Sequence, residues 1–480
     1  MKKKFFYVPL LALLFISCSG LENVRQEENT QKISTRLPKN KIKPLKKFIN
    51  SDMMKHGNLS FYAVDLDSGK IVDNYNGDTG LVPASVLKIV TSATAIKVLG
   101  GDTTLETKLL YDGKISKSGI LKGDIYIEGG GDPTLGSNGF AKDKELFLKH
   151  WVQEMKRIGI KSIDGSIIVL DDLFGYEGIP GKWLWEDMGT DYGQATYGIS
   201  IFDNLYTLSL ETKKPGEKPK ITRISPKIKE LSFDNKALVL ENSKNTLIVQ
   251  GAPLENKRTI SGTIPKSEEE YRIDSDIPDP GLFLGNYFSE YLRKEGIKFT
   301  GKVLSARTTS KRPKDGKIIA ITESPTISEI CRVLLTRSDN HYAEHLYQLL
   351  KKSKKIDITE LWKNNGLETN ALVLGDGSGL SRGNTVSSKF LVDVLTYSKN
   401  DLKDILPIAG KEGTVKLFLK DTPLSGNAKI KSGSMSGIQS YSGYVEKNGK
   451  TYAFAIMVNH WNGSRKELRE EIEILLNNIF

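Results

Sequence analysis

Three short motifs follow one another along the chain: Ser85-Val86-Leu87-Lys88, Ser338-Asp339-Asn340 and Lys431-Ser432-Gly433. Together they bring a hydroxyl nucleophile, two amines, a second hydroxyl and a carboxamide, enough for serine acyl transfer without a histidine. The chain has five histidines, and no motif pairs one of them with a serine. Ser85 and Lys88 lie three apart on a predicted helix, so they share one face with Cβ atoms about 5–6 Å apart. A lysine at its reference pKa of about 10.4 is no base. Desolvation and a second cation, Lys431, would both lower that value. A neutral Lys88 could then take the Ser85 proton during attack on a carbonyl. At a helix start the Ser85 N–H also points outward, where it can serve as an oxyanion donor.

Position in the chain selects these motifs from their look-alikes. Ser85-Val86-Leu87-Lys88 is the one S-x-x-K. S-x-N recurs at 243–245, 398–400 and 425–427, and a second K-S-G stands at Lys117-Ser118-Gly119 in a turn rich in glycine and lysine. Ser338 sits on the short connection between two helical patterns, 326–335 and 341–350, where a hydroxyl can relay a proton and the Asn340 carboxamide can hold the lysine. Lys431-Ser432-Gly433 continues a predicted edge strand, Ala428-Lys429-Ile430. A cation and a hydroxyl there suit a substrate carboxylate, and Gly433 lets a substrate backbone come close.

The elements that must position these groups come from both ends of the chain. Strands are predicted at 59–66 and 70–75, then a helix opening at Pro83-Ala84-Ser85 and ending at Gly100-Gly101. A hairpin over 441–446 and 451–459 turns at Asn448-Gly449. Ser464 and Glu467 form a capping box for a last helix with Leu468, Ile472, Leu475, Leu476 and Ile479 on one face. The expected α+β fold is therefore an antiparallel sheet with helices on its faces, its catalytic domain divided between 48–100 and 318–480. Residues 101–317, too many for a loop, hold one or two smaller inserted domains, mainly β or α+β. Helices near 143–158 and 281–295 and strands at 123–128, 166–170, 237–240 and 246–249 fall there. Residues 213–229, rich in proline and lysine, read as a surface loop, and Trp183, Trp185 and Tyr192 as packing of the insertion. Cys331 lies in an apolar helical pattern and reads as buried.

Residues 1–17 read as a signal peptide, with a basic start and a short apolar run. Cys18 ends a lipobox-like Phe15-Ile16-Ser17-Cys18 and is the expected lipidation site, with 18–47 as a flexible tether. The formal net charge of +11 is a mild basic excess that suits an anionic cell envelope. The charges are spread, and no nucleic-acid module is present.

Pro83 to Lys88, Arg337 to Asn340 with Ala343-Glu344, and Asp376-Gly377-Ser378-Gly379-Leu380-Ser381-Arg382 resemble class C penicillin-binding proteins. So do Gly129-Gly130-Gly131-Asp132-Pro133 and Lys431-Ser432-Gly433-Ser434. These are D-alanyl-D-alanine carboxypeptidases and endopeptidases of peptidoglycan. The resemblance implies a penicillin-binding/β-lactamase-like serine transpeptidase domain with two domains inserted between its first two motifs. It implies Ser85 as acylated nucleophile, Lys88 as base, and Ser338 and Asn340 as relay and positioning groups. Lys431, Ser432 and Gly433 would bind the terminal carboxylate end of the substrate, and the Ser434 N–H would be the second oxyanion donor. Ser432 stands where the family usually has threonine, retaining the hydroxyl. The 376–382 loop would brace the site without a chemical step. The implied partners are peptidoglycan stem peptides, β-lactams as covalent inhibitors and a membrane reached through the lipid anchor, with no cofactor or metal. The expected location is the bacterial cell envelope.

Two rivals come from other classes. His341-Tyr342-Ala343-Glu344-His345 matches an inverted zinc-protease signature, but no third ligand is evident downstream, and the glutamate already belongs to the penicillin-binding pattern. Surface or helix-packing histidines account for it better. A catalytically inactive peptidoglycan-binding lipoprotein is the other, opposed by the retention of Ser85, Lys88, Ser338, Asn340 and Lys431. Gly379 to Gly383 also matches G-x-S-x-G, without the strand that must lead into such a serine. A β-lactamase would be more compact between its first two motifs.

Overall fold

Two segments more than 350 residues apart in the chain meet in one sheet. In the computed structural model, which describes residues 42–480, Asn58–Asp65 pairs antiparallel with Lys450–Asn459 from Asn58↔Asn459 to Asp65↔Tyr452. Ile71–Tyr75 flanks one side, Ile438–Lys447 and then Ala428–Met435 the other, so Ala428–Met435 is an edge strand. Successive side chains of a strand point to opposite faces, and here both faces are covered. Ala453, Ala455 and Met457 pack with the Lys88–Leu99 and Ser388–Tyr397 helices. Phe454, Ile456 and Val458 pack with Leu468, Ile472 and Leu476 of the Arg465–Ile479 helix. That two-sided burial explains an unbroken apolar run where a half-exposed strand would alternate. Each such large side chain contributes about 1.5–3 kcal/mol.

A second five-stranded sheet runs in the order 303–305, 167–170, 125–129, 106–111, 317–323, its strands lying in the insertion except for the last, which continues past residue 317. The Leu146–Arg157 and Pro280–Lys294 helices are packed through Trp151, Leu284 and Phe288 into an apolar cluster with strand residues of that sheet, among them Ile127 and Val169. A three-stranded sheet with Leu205–Thr212 at its centre lies between Lys220–Ser225 and Ser267–Asp276. Leu208 and Ile260 join the same apolar cluster as Trp151.

Three readings of the sequence need correction. Residues 213–229 are not all loop: Lys220–Ser225 pairs with the 205–212 strand from Lys220↔Glu211 to Ser225↔Thr207. It is an edge strand with mostly exposed side chains, so it has no apolar run to announce it. The tether to Lys47 ends early, because Ile42–Ile49 is a helix. Its Leu45 and Phe48, one turn apart, are buried in the cluster that holds Leu475, Ile479 and Phe480. The third concerns Trp183, Trp185 and Tyr192, described with the site. The signal peptide, Cys18 and the rest of the tether lie outside the described residues. Among the described residues no helix is long and apolar enough to cross a membrane.

Candidate active site

The nucleophile turn is sharper than a plain helix start. Ala84 has φ +50°, a left-handed conformation a non-glycine residue adopts at some cost. Residues Ala84–Leu87 form a 3-10 turn before the α-helix begins at Lys88. Two glycines let other segments close on it. A Cβ on Gly379 would stand 2.0 Å from the Ala84 carbonyl oxygen, and one on Gly433 would stand 3.0 Å from the Ser85 nitrogen. The 376–382 loop and the edge strand thus clasp the turn from two sides.

Lys88 is completely buried. Its Nζ lies 2.9 Å from Ser85 Oγ, 2.6 Å from Asn340 Oδ1 and 2.6 Å from the Ser378 carbonyl oxygen. Burial pushes its pKa down to about 8, against the opposing pull of Asp376, Glu344 and Asp339. Burial, and then the Lys88 charge, holds Lys431 well below the usual lysine range. Lys431 Nζ donates to Ser338 Oγ at 2.9 Å and to the Ser432 carbonyl at 2.5 Å.

The second motif is a helix-to-helix junction. Ser338, at φ +61°, ends the Ile327–Arg337 helix in the left-handed conformation. Asp339 caps the Asn340–Gln348 helix by accepting from Tyr342 N–H at 2.9 Å. Asn340 then opens that helix, with its amide spanning two domains: Oδ1 faces Lys88, and Nδ2 donates to the Tyr192 carbonyl at 2.8 Å. Aspartate suits the N-cap it holds, whereas Ser338 takes a left-handed conformation that a serine adopts at some cost.

On the edge strand, Ile430 N–H donates to Pro407 and Ala428 C=O accepts from Ala409. Backbone groups alternate along an antiparallel strand, so Ser432 and Ser434 also present theirs on the free edge, toward the cleft. Gln439 Nε2 donates to the Gly433 carbonyl at 3.3 Å. Ser432 Oγ meets Thr414 Oγ1 at 2.7 Å. The structure thus brings together Ser85, Lys88, Ser338, Asn340, Lys431, Ser432, Gly433 and Ser434.

Three contributors had no counterpart in the sequence reading. The Ser378 carbonyl is one, and two buried carboxylates aim it. Asp376 accepts from Gly379 N–H, Ser381 N–H, Asn384 Nδ2 and Trp183 Nε1 at 2.6–2.9 Å. Glu344 accepts from Gly377 and Ser378 N–H at 3.0 and 2.7 Å, and burial, then Asp376, pushes it up to about 8. Thr414 and the Tyr192 carbonyl are the others. Trp183 therefore binds the catalytic half, while Trp185 and Tyr192 are 59% and 42% exposed, so none of the three serves as core packing of the insertion alone.

His341 and His345 are buried, not surface residues. His341 Nε2 pairs with Ser200 Oγ at 2.8 Å, and His345 Nδ1 with the Gly131 carbonyl at 3.1 Å. Burial holds His341 well below its usual range and His345 down at about 4. They fasten the Asn340–Gln348 helix to the insertion. Among the described residues no three or more His, Cys, Asp or Glu side chains converge as a metal cluster. Cys331 is buried, its thiol pushed up to about 12 by desolvation.

Over residues 42–479 the chain matches the family described as D-Ala-D-Ala carboxypeptidase 3 (S13). The chain belongs to that family. This S13 chain is 25% identical over 426 residues to the D-alanyl-D-alanine carboxypeptidase DacB of Haemophilus influenzae, covering 84% of itself and 86% of that protein. It is 27% identical to the D-alanyl-D-alanine carboxypeptidase of an Actinomadura species, covering 83% and 77%. Among solved structures it is similar to penicillin binding protein 4 of H. influenzae, with TM-score 0.76, 25% identity and coverage of 89% and 96%. That protein has also been solved with a β-lactam, and the likeness there is TM-score 0.71 at 24% identity. The S13 fold is the penicillin-binding/β-lactamase-like one expected from the motifs, a mixed α+β architecture, and the chain is a serine peptidase of the D-alanyl-D-alanine carboxypeptidase class.

Proposed function

We propose that Ser85 attacks the carbonyl of a D-alanyl-D-alanine peptide bond in peptidoglycan stem peptides, forming an acyl-enzyme that water then hydrolyses. The observation that carries this is a fully buried lysine amine 2.9 Å from a serine hydroxyl. The terminal carboxylate docks on Lys431 and Ser432, beside Thr414. Its charge keeps Lys431 protonated, and that ammonium in turn favours neutral Lys88. Neutral Lys88 takes the Ser85 proton as Oγ bonds to the carbonyl carbon. The oxyanion forms between the N–H groups of Ser85 and Ser434. As the C–N bond breaks, the leaving amine takes a proton through Ser338 Oγ from Lys431, which hydrogen-bonds to Ser338. The proton gained by Lys88 replaces the one lost from Lys431, so Lys88 is neutral again before water attacks. Attack by water with Lys88 again as base releases the acyl peptide and restores both groups. β-Lactams enter by the same attack and stay attached. Cys18 would tether the enzyme to an envelope membrane, with 101–317 as the inserted region between the two catalytic segments.

The test is release of D-alanine from a synthetic pentapeptide ending in D-alanyl-D-alanine, with and without a strong chelator. We expect release at the same rate in both. No release would favour an inactive binding protein, and loss of release in chelator would favour metal chemistry at His341, Glu344 and His345.

A further inference from the structure

The Gly129-Gly130-Gly131-Asp132-Pro133 turn carries a carboxylate that the Ser85 chemistry does not use. Asp132 is only 3% exposed. Its Oδ1 accepts from Thr134 N–H at 2.7 Å and from Thr134 Oγ1 at 2.6 Å, while its Oδ2 accepts from no donor among the described residues. Burial pushes its pKa up to about 6, and only the two Thr134 hydrogen bonds pull it back. A buried carboxylate satisfied on one oxygen is costly unless something pairs with the other.

Asp132 lines a cavity of about 660 Å³, within the range of small-ligand sites, about 300–1,000 Å³. The apolar walls are Phe140, Leu146, Phe147, Ile321 and Pro325. Leu146 and Ile321 are 61% and 38% exposed, so the wall meets solvent at the mouth. Phe140 stacks on Tyr342 with ring centres 6.2 Å apart, and Phe147 stands edge-on to Trp151 at 5.0 Å, which fixes both rings. The rim is mixed in sign: Lys142 and Lys144 stand with Asp143 and Glu323, all four exposed. Exposed charges of opposite sign offset one another and are screened by salt, whereas a charge held out of water keeps its pull. The buried Asp132 therefore sets the sign of the cavity. No residue that lines it also lines the cleft at Ser85.

An organic ammonium answers each of these features. Its N–H groups can reach the free Asp132 oxygen in a charge-assisted hydrogen bond, its charge is attracted to aromatic faces, and an apolar body is buried against the walls. A bare divalent cation is not answered: it needs several oxygen ligands, and among the described residues no three or more His, Cys, Asp or Glu converge.

We infer that this cavity is a second binding site, separate from the peptidase centre, for a small amphipathic ligand whose amine pairs with Asp132 and whose aryl or alkyl body lies against Phe140, Leu146, Phe147 and Ile321. The site stands independently of the serine chemistry.

The purified full chain is titrated by calorimetry with phenylbutylammonium and with phenylpentanoate, which has a similar body and the opposite charge, beside Asp132→Asn and Leu146→Lys variants. The ammonium is expected to bind once per chain, and the carboxylate at least about tenfold more weakly. Asp132→Asn keeps an oxygen for Thr134 and removes the charge, so affinity for the ammonium falls at least about tenfold. Leu146→Lys alters an exposed side chain and adds a cation at the mouth, so affinity falls about threefold, less in high salt. The thermal unfolding midpoint separates a lost site from a lost fold; where Asp132→Asn unfolds early, Leu146→Lys decides. No binding of the ammonium, equal binding of the two probes, or unchanged affinity in a well-folded variant would each overturn the inference. So would binding that penicillin acylation abolishes, because the probe would then sit in the cleft at Ser85.

Discussion

A Ser85→Ala chain is expected to take up no fluorescent penicillin and to release D-alanine at least about 10⁴-fold more slowly, since no other group can form the acyl bond. The change removes one hydroxyl whose partner is Lys88 Nζ, a hydrogen bond contributing about 0.5–1.5 kcal/mol. The thermal unfolding midpoint should therefore move by no more than a few degrees. The combination is diagnostic, because a misfolded variant would lose labelling and midpoint together. Labelling that persisted in a well-folded Ser85→Ala chain would place the nucleophile elsewhere.

Replacement of Lys88 by methionine should slow acylation by about 10²–10⁴-fold, the usual contribution of a positioned general base. Methionine fills a similar volume in a fully buried site. It leaves Asn340 Oδ1 and the Ser378 carbonyl without the donor they now share, at about 1–3 kcal/mol each, so retention of fold must be verified by the same unfolding measurement. The pH dependence supplies an independent sign. The base form is the neutral amine, and burial holds Lys88 near a pKa of about 8. Acylation by the unsubstituted chain should thus climb about tenfold per unit through the acid range and level off above about pH 8. In the methionine variant that climb should vanish. A flat profile in the unsubstituted chain would contradict a lysine base.

How much of this was legible depended on whether a function was carried by a side chain. The apolar run within 451–459, the capping box at Ser464 and Glu467 and the Asn448-Gly449 turn are local signals, and they led to the split sheet. Ser85, Lys88, Asn340 and Lys431 announce themselves by type and spacing. The Ser378 and Tyr192 carbonyls do not, because every residue has a carbonyl and only the fold aims it. Asp376 and the two glycines after it marked the 376–382 loop as special, but its contact with Lys88 became visible only once Glu344 and Asp376 were seen gripping it. Thr414 lies in a stretch without strong periodicity. The Ile42–Ile49 helix was hidden among lysines, with Leu45 and Phe48 as its two anchoring side chains. The His341 and His345 pair shows the converse: a metal-like spacing used to fasten one helix to an insertion.

The most direct measurement is the intact mass of the chain after exposure to penicillin, followed by peptide mapping of the adduct. One penicillin per chain, on the peptide that contains Ser85, is the predicted result. An unmodified mass, or an adduct on any peptide without Ser85, would contradict the account.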